Sequence, residues 1–98
     1  MIYVYCPESV SNSGFHYFGF SQNLEKRLRK HNFGSVSSTK NKRPLKLIAY
    51  KGFSNRREAS DYEKALKKSA TLREQFRVRY SIDQNKIAGW SSGSSSGS

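Results

Sequence analysis

The sequence predicts a small α/β domain: a central sheet of about three strands flanked by helices, in the order strand, strand, helix, strand, helix, helix. Three short β-branched and aromatic runs supply the strands. Between and after them lie stretches in which leucine and alanine recur at helical spacing behind capping residues. The chain's 98 residues are enough for one domain and too few for two. With six Tyr, six Phe and one Trp against a modest aliphatic content, the expected core is small and aromatic.

Met1 to Cys6 is an unbroken β-branched and aromatic run, and Pro7, which has no N–H for a ladder, is expected to stop it. A polar loop leads to Gly14, and Phe15 to Phe20 resumes the aromatic pattern, which predicts a hairpin with a long loop. Ser21 is placed to cap a first helix, with Glu25 in its first turn and Leu24 and Leu28 as its apolar stripe. Asn32 or Gly34 ends it. Ser35 to Arg43 has no periodicity and reads as a basic surface loop closed by Pro44. Leu45 to Tyr50 is nearly continuously apolar, as expected of a central strand. Ser54 or Asn55 is placed to cap a second helix, Asn55 with Glu58 three residues on having the geometry of a capping box, and Ala59, Tyr62 and Leu66 mark the inward face of that helix. A shorter third helix is expected from Leu72 to Val78. The domain is placed at residues 1–80, with an extension at 81–98 that is Ser/Gly-rich and expected to be disordered from Gly89.

Eighteen Lys and Arg against seven Asp and Glu give a net charge of +11, which points to a polyanionic partner, nucleic acid first. No apolar run approaches the roughly 18–20 residues that span a bilayer, and no secretory signal is visible. A soluble, cytoplasmic protein with no membrane partner is expected. A single cysteine, Cys6, excludes an internal disulfide and a cysteine-based zinc site, and reads as a buried, inert thiol.

Asn23, Arg27 and His31 follow one another at spacings of four on the first helix, about 100° from the leucine stripe, so Arg27 and His31 are expected to reach one phosphate together. Arginine suits that task through its permanent charge and planar fork of donors, although a solvated basic face would read the same way. Glu63 lies in the sector of Ala59 and Leu66, and a carboxylate turned inward needs either a basic partner or a metal ion. Both readings stand on position alone. Tyr3, Tyr5 and Tyr17 are strand tyrosines, ordinarily packing residues, and His16 is given no role.

In order, these features resemble the GIY-YIG nuclease family. The first half-motif stands here as Tyr3-Val4-Tyr5 and the second as Tyr17-Phe18-Gly19. They are followed by Ser21 to Leu28 with Arg27, by His31-Asn32, by Ser38-Thr39-Lys40 and Arg43-Pro44-Leu45, and by Tyr62 to Lys68 with Glu63. The resemblance covers roughly residues 1–80 and is to the compact, stand-alone members, since the chain has no room for the further domains of homing endonucleases or of the excision-repair incision subunit.

The resemblance implies a three-stranded sheet whose reacting groups collect on one face and on the first helix. It also implies an Mg2+- (or Mn2+-) dependent endonuclease that hydrolyses DNA phosphodiester bonds. Tyr5 would activate water, Arg27 and Tyr17 would hold the scissile phosphate, Glu63 would bind the metal, and His31 fills a family position held by His or Tyr. Two departures, Tyr3 for the first glycine and Phe18 for the isoleucine, spare the tyrosines. A family asparagine beyond the glutamate has only Gln75 or Asn85 as counterparts. Lys40, Lys42 and Arg43 are the expected nucleic-acid contacts, with DNA preferred over RNA as partner. A catalytically inactive nucleic-acid-binding module is the alternative.

Overall fold

The computed structural model describes residues 1–82. Its elements are β1 (Ile2–Ser9), β2 (Gly19–Ser21), α1 (Leu24–Phe33), a 3-10 turn (Lys40–Lys42), β3 (Leu45–Phe53), α2 (Arg56–Lys68) and α3 (Ala70–Arg79), in the expected order. The Ser/Gly tail and Asn85 lie outside the described residues.

The sheet is antiparallel, ordered β2-β1-β3, so β1 is central and β3 lies beside it at an edge. Two expectations are corrected here, the central place of β3 and the end of β1 at Pro7. β1 does not stop at Pro7 but continues to Ser9, because the register shifts between Cys6 and Pro7. A bulge is where a strand tolerates a residue with no N–H to give. Cys6 faces Ala49 and Pro7 faces Leu47, which leaves Ile48 as the extra residue of β3. That extra residue switches which face the β3 side chains take. Leu45 and Leu47 join the cluster beneath α1, while Ala49 joins the cluster beneath α2 and α3. The continuous apolar run of β3 is therefore a bulged strand serving two cores in turn, and it reads like a central strand without being one. Hydrogen bonds from Tyr50 N to Tyr80 O and from Ile82 N to Ile48 O cover part of its outer edge.

β1 alternates strictly before the bulge. Ile2, Val4 and Cys6 pack with Ala59, Leu66 and Phe76, while Tyr3 and Tyr5 face Leu24 and Leu28. Phe18, Tyr62, Phe76 and Tyr80 make a chain of ring contacts through the first core, with centroids 5.2 to 6.1 Å apart. Cys6 is wholly buried there, and burial pushes its thiol up to about 12, which keeps it protonated and inert.

Asn23, not Ser21, caps α1: its side chain accepts from Lys26 N at 3.0 Å, and the Ser21 hydroxyl instead accepts from Asn23 N. Gly34 ends the helix at φ 92, the left-handed conformation glycine alone adopts cheaply. Asn55 caps α2 by accepting from Glu58 N, as its spacing implied. In place of the reciprocal capping-box bond, the Ser54 hydroxyl donates to Glu58 Oε1.

Candidate active site

Tyr5 is the hub. It enters from central β1 and is 1 % exposed, and its hydroxyl lies 2.9 Å from Arg27 Nε and 2.9 Å from His31 Nε2. Arg27 and His31 share a face of α1 one turn apart, as their spacing required, but they do different work. Arg27 is half-buried, with its guanidinium toward the site. His31 is completely buried and spent on internal bonds, so the expectation that it reaches a phosphate beside Arg27 is corrected. A side chain one turn further along α1 falls under the loop that follows the helix.

The imidazole bonds run in one self-consistent sense. The buried Thr39 hydroxyl donates to Val36 O at 3.4 Å, so its oxygen accepts from His31 Nδ1–H at 2.8 Å. His31 Nε2 is then bare and accepts the Tyr5 O–H, while Arg27 Nε–H donates to the Tyr5 oxygen. Burial, then the Arg27 charge, pushes His31 down to about 4, so it is a neutral acceptor near pH 7. Burial pushes the Tyr5 hydroxyl up to about 12; the Arg27 hydrogen bond and charge pull it back, and Tyr17 and Glu63 add to the rise. Burial alone would lower Arg27, but its bonds to the Tyr5 and Tyr17 hydroxyls outweigh that and raise it, so it stays a cation.

Tyr17 stands over this group, its ring centroid 4.9 Å from that of His31 and 6.3 Å from that of Tyr5. Gly19 leaves the room for it. A Cβ there would lie 3.0 Å from the Tyr17 ring and 3.2 Å from the Tyr5 hydroxyl, so no larger residue fits without moving the tyrosines. Glu63 is buried at 7 % exposure on α2, close enough to act on the Tyr5 hydroxyl. The site thus draws on both helical layers: α1 beneath the tyrosine face, and α2 from the far face, reaching past the three-residue strand β2.

One Glu63 oxygen pairs with Lys67 Nζ one turn along α2 at 2.5 Å; the other has no partner among the described residues. Among those residues no group of three or more His, Cys, Asp or Glu is assembled for a metal. A single hard carboxylate with one open oxygen nonetheless fits magnesium, which keeps most of its water and takes few protein ligands.

The five residues singled out for chemistry, Tyr5, Tyr17, Arg27, His31 and Glu63, therefore come together. The basic loop is a different matter. Arg43 Nε donates to Lys40 O at 2.8 Å, and its guanidinium lies against Gly34. Lys42 sits 5.3 Å over the Phe15 ring, and only Lys40 is exposed without such a contact. Gln75 is exposed on α3, lining a separate cavity with Thr71 and Glu74. His16 pairs with Glu8 at 3.1 Å, a structural contact. Sequence reasoning passed over Thr39, whose contact with His31 no spacing rule reveals. It also passed over Lys67, which the rule of helical neighbours four apart would have found.

The model of the GIY-YIG catalytic domain matches residues 1–75. A UPF0213 protein of Clostridium perfringens (strain 13 / Type A) is 39% identical over 69 residues, which cover 69% of this chain and 72% of that protein. The solution NMR structure of a UPF0213 protein from Bacillus halodurans superposes with a TM-score of 0.54 at 26% identity, covering 91% of this chain and 98% of that one. No described helix is long and apolar enough to cross a membrane.

Proposed function

The chain belongs to the GIY-YIG catalytic-domain family, whose members are nuclease-like and typically use divalent metal ions, and on that footing we propose that it is a magnesium-dependent endonuclease that hydrolyses DNA phosphodiester bonds in DNA processing or repair. The observation that carries this reading is the Tyr5 hydroxyl held between a cation and a bare imidazole nitrogen, 2.9 Å from each.

A phenol that titrates near 12 is a poor base by itself at neutral pH. Here its proton already points at His31 Nε2, so the Tyr5 oxygen takes a proton from the attacking water as its own passes to the imidazole. Thr39 holds the imidazole in the tautomer that makes this possible. Arg27, whose Nε is fixed on Tyr5, turns its remaining N–H groups to the scissile phosphate, where negative charge grows in the transition state. The Tyr17 hydroxyl, which also bonds to Arg27, orients the phosphate. Glu63 would hold the magnesium or manganese ion, which would supply Lewis-acid neutralisation of phosphate charge. Lys67, paired with one carboxylate oxygen, fixes the rotamer of Glu63.

A second reading, a binding module without catalysis, draws on the Glu63–Lys67 ion pair, which satisfies one carboxylate oxygen without a metal. A cleavage assay on duplex, single-stranded and branched DNA and on RNA, with magnesium, manganese or EDTA, tests the proposal. Metal-dependent cutting of DNA is the expected result. Binding with no cutting of any substrate in either metal would leave the module.

A further inference from the structure

Beside the site, the start of α1, β2 and the start of α2 enclose a cavity of about 360 Å³ lined by Lys26, Arg27, Lys30 and Arg56 together with Phe20 and Gln22. No Asp or Glu lines it. Lys26 and Lys30 are one helical turn apart and exposed, and neither makes an ion pair among the described residues. Glu25, the nearest acid in sequence, is committed to Arg29 on another part of the helix. Arg56 is held in place by its guanidinium lying 5.4 Å over the Phe20 ring. Like charges at helical spacing repel one another, and here no acid relieves them, so the cavity attracts anions.

Arg27 belongs both to this cavity and to the Tyr5 hydroxyl, so an anion in the cavity continues directly from the scissile position. A second basic groove, lined by Tyr17, Ser38, Lys67, Arg73 and Arg77, lies past the other end of α2. Its cations are mostly spent: Lys67 on Glu63, and Arg73 on the carbonyls of Leu66 and Lys67. The loop from Lys40 to Arg43 is similarly engaged with its own backbone and with Phe15.

We infer that the groove of Lys26, Lys30 and Arg56 is the principal seat of the nucleic-acid backbone, holding the phosphates next to the one that is cut, and that the cut strand is gripped mainly on this one side. The inference rests on the proposed nuclease reading and gives that site its flanking-phosphate contacts.

The test compares three full-length proteins: the wild type, the groove variant Lys26→Gln/Lys30→Gln/Arg56→Gln, and the loop variant Lys40→Ala/Lys42→Ala/Arg43→Ala. Binding to fluorescent duplex, branched and single-stranded oligonucleotides is titrated in EDTA across a salt series, with thermal melting as the check on folding. The groove variant is expected to melt like the wild type and to lose about 3 from the slope of log affinity against log salt, near 1 for each contact removed. The loop variant is expected to lose about 1, the share of Lys40. A groove variant with the wild-type slope, or a loop variant that loses more than the groove variant, overturns the inference.

Wild-type cleavage of the same oligonucleotides is measured in parallel. Cutting with no groove dependence removes the inference and leaves the nuclease reading. Groove-dependent binding without cutting removes the nuclease reading, and with it the flanking-phosphate role, and leaves only the groove as the seat of the backbone. A wild type that neither binds nor cuts any of the oligonucleotides removes both.

Discussion

Glu63→Gln separates a metal-holding carboxylate from one that merely braces its helix. The substitution keeps the side chain's size, its helix propensity and an acceptor for Lys67, and removes only the charge. The Lys67 side chain is 57% exposed and that of Glu63 9%, so their pair sits at the rim of the site. Exposed pairs four apart on a helix are worth about 0.3–0.5 kcal/mol, whereas breaking a buried pair costs about 3–5 kcal/mol. A loss below about 1 kcal/mol lowers the melting temperature by less than about 4–8 °C in a domain of this size. If the carboxylate holds the metal, several kcal/mol of transition-state charge neutralisation go with it, and about 3 kcal/mol is already a hundredfold in rate. Single-turnover cleavage in magnesium should therefore fall at least about a hundredfold. DNA binding should be unchanged or slightly tighter, because a negative charge near the phosphate is gone. A variant that melts normally and still cuts within about tenfold of the wild type would refute the reasoning. Melting lowered by the full cost of a buried pair, with activity kept in the folded fraction, would make Glu63 a structural residue.

Thr39→Val removes the acceptor of His31 Nδ1–H, which should cost about 1–3 kcal/mol in a denaturant titration and slow cleavage, with Thr39→Ser restoring both. His31 titrates near 4 when folded against about 6.5 for a free histidine, so the unfolded chain binds more protons between those values. Its contribution to stability is complete above about pH 6.5 and is lost as pH falls toward 4, and melting curves across that window should be flatter for His31→Gln than for the wild type. Gly34→Ala places a Cβ at φ 92 and within 2.8 Å of the Arg43 guanidinium, and should destabilise the domain by about 1–2 kcal/mol in the same titration.

The element order, the Asn55 start of α2 and the Gly34 end of α1, and the inward faces of α1 and α2 were legible in the sequence because each depends on neighbours within a turn or two. Asn55 three residues before Glu58, or Leu24 four before Leu28, states its geometry by spacing alone. That Arg27 and Glu63 turn toward the candidate site was legible through periodicity, and Tyr5 and Tyr17 were singled out through the family pattern.

Contacts across the fold were not legible. Whether His31 would meet a phosphate or the Tyr5 hydroxyl depended on where the segment around Thr39 settled, and that contact joins residues eight apart through a loop with no periodicity. β1 takes the sheet's centre because both β2 and β3 pair with it, and the face that β3 turns to each core depends on one extra residue, Ile48, which looks in sequence like any other apolar strand position. The division of the basic residues was equally hidden. Charge count measures attraction to a polyanion, but only the packed chain decides which cations are tied to carbonyls, rings and carboxylates and which are left facing outward together, because those partners come from separate elements.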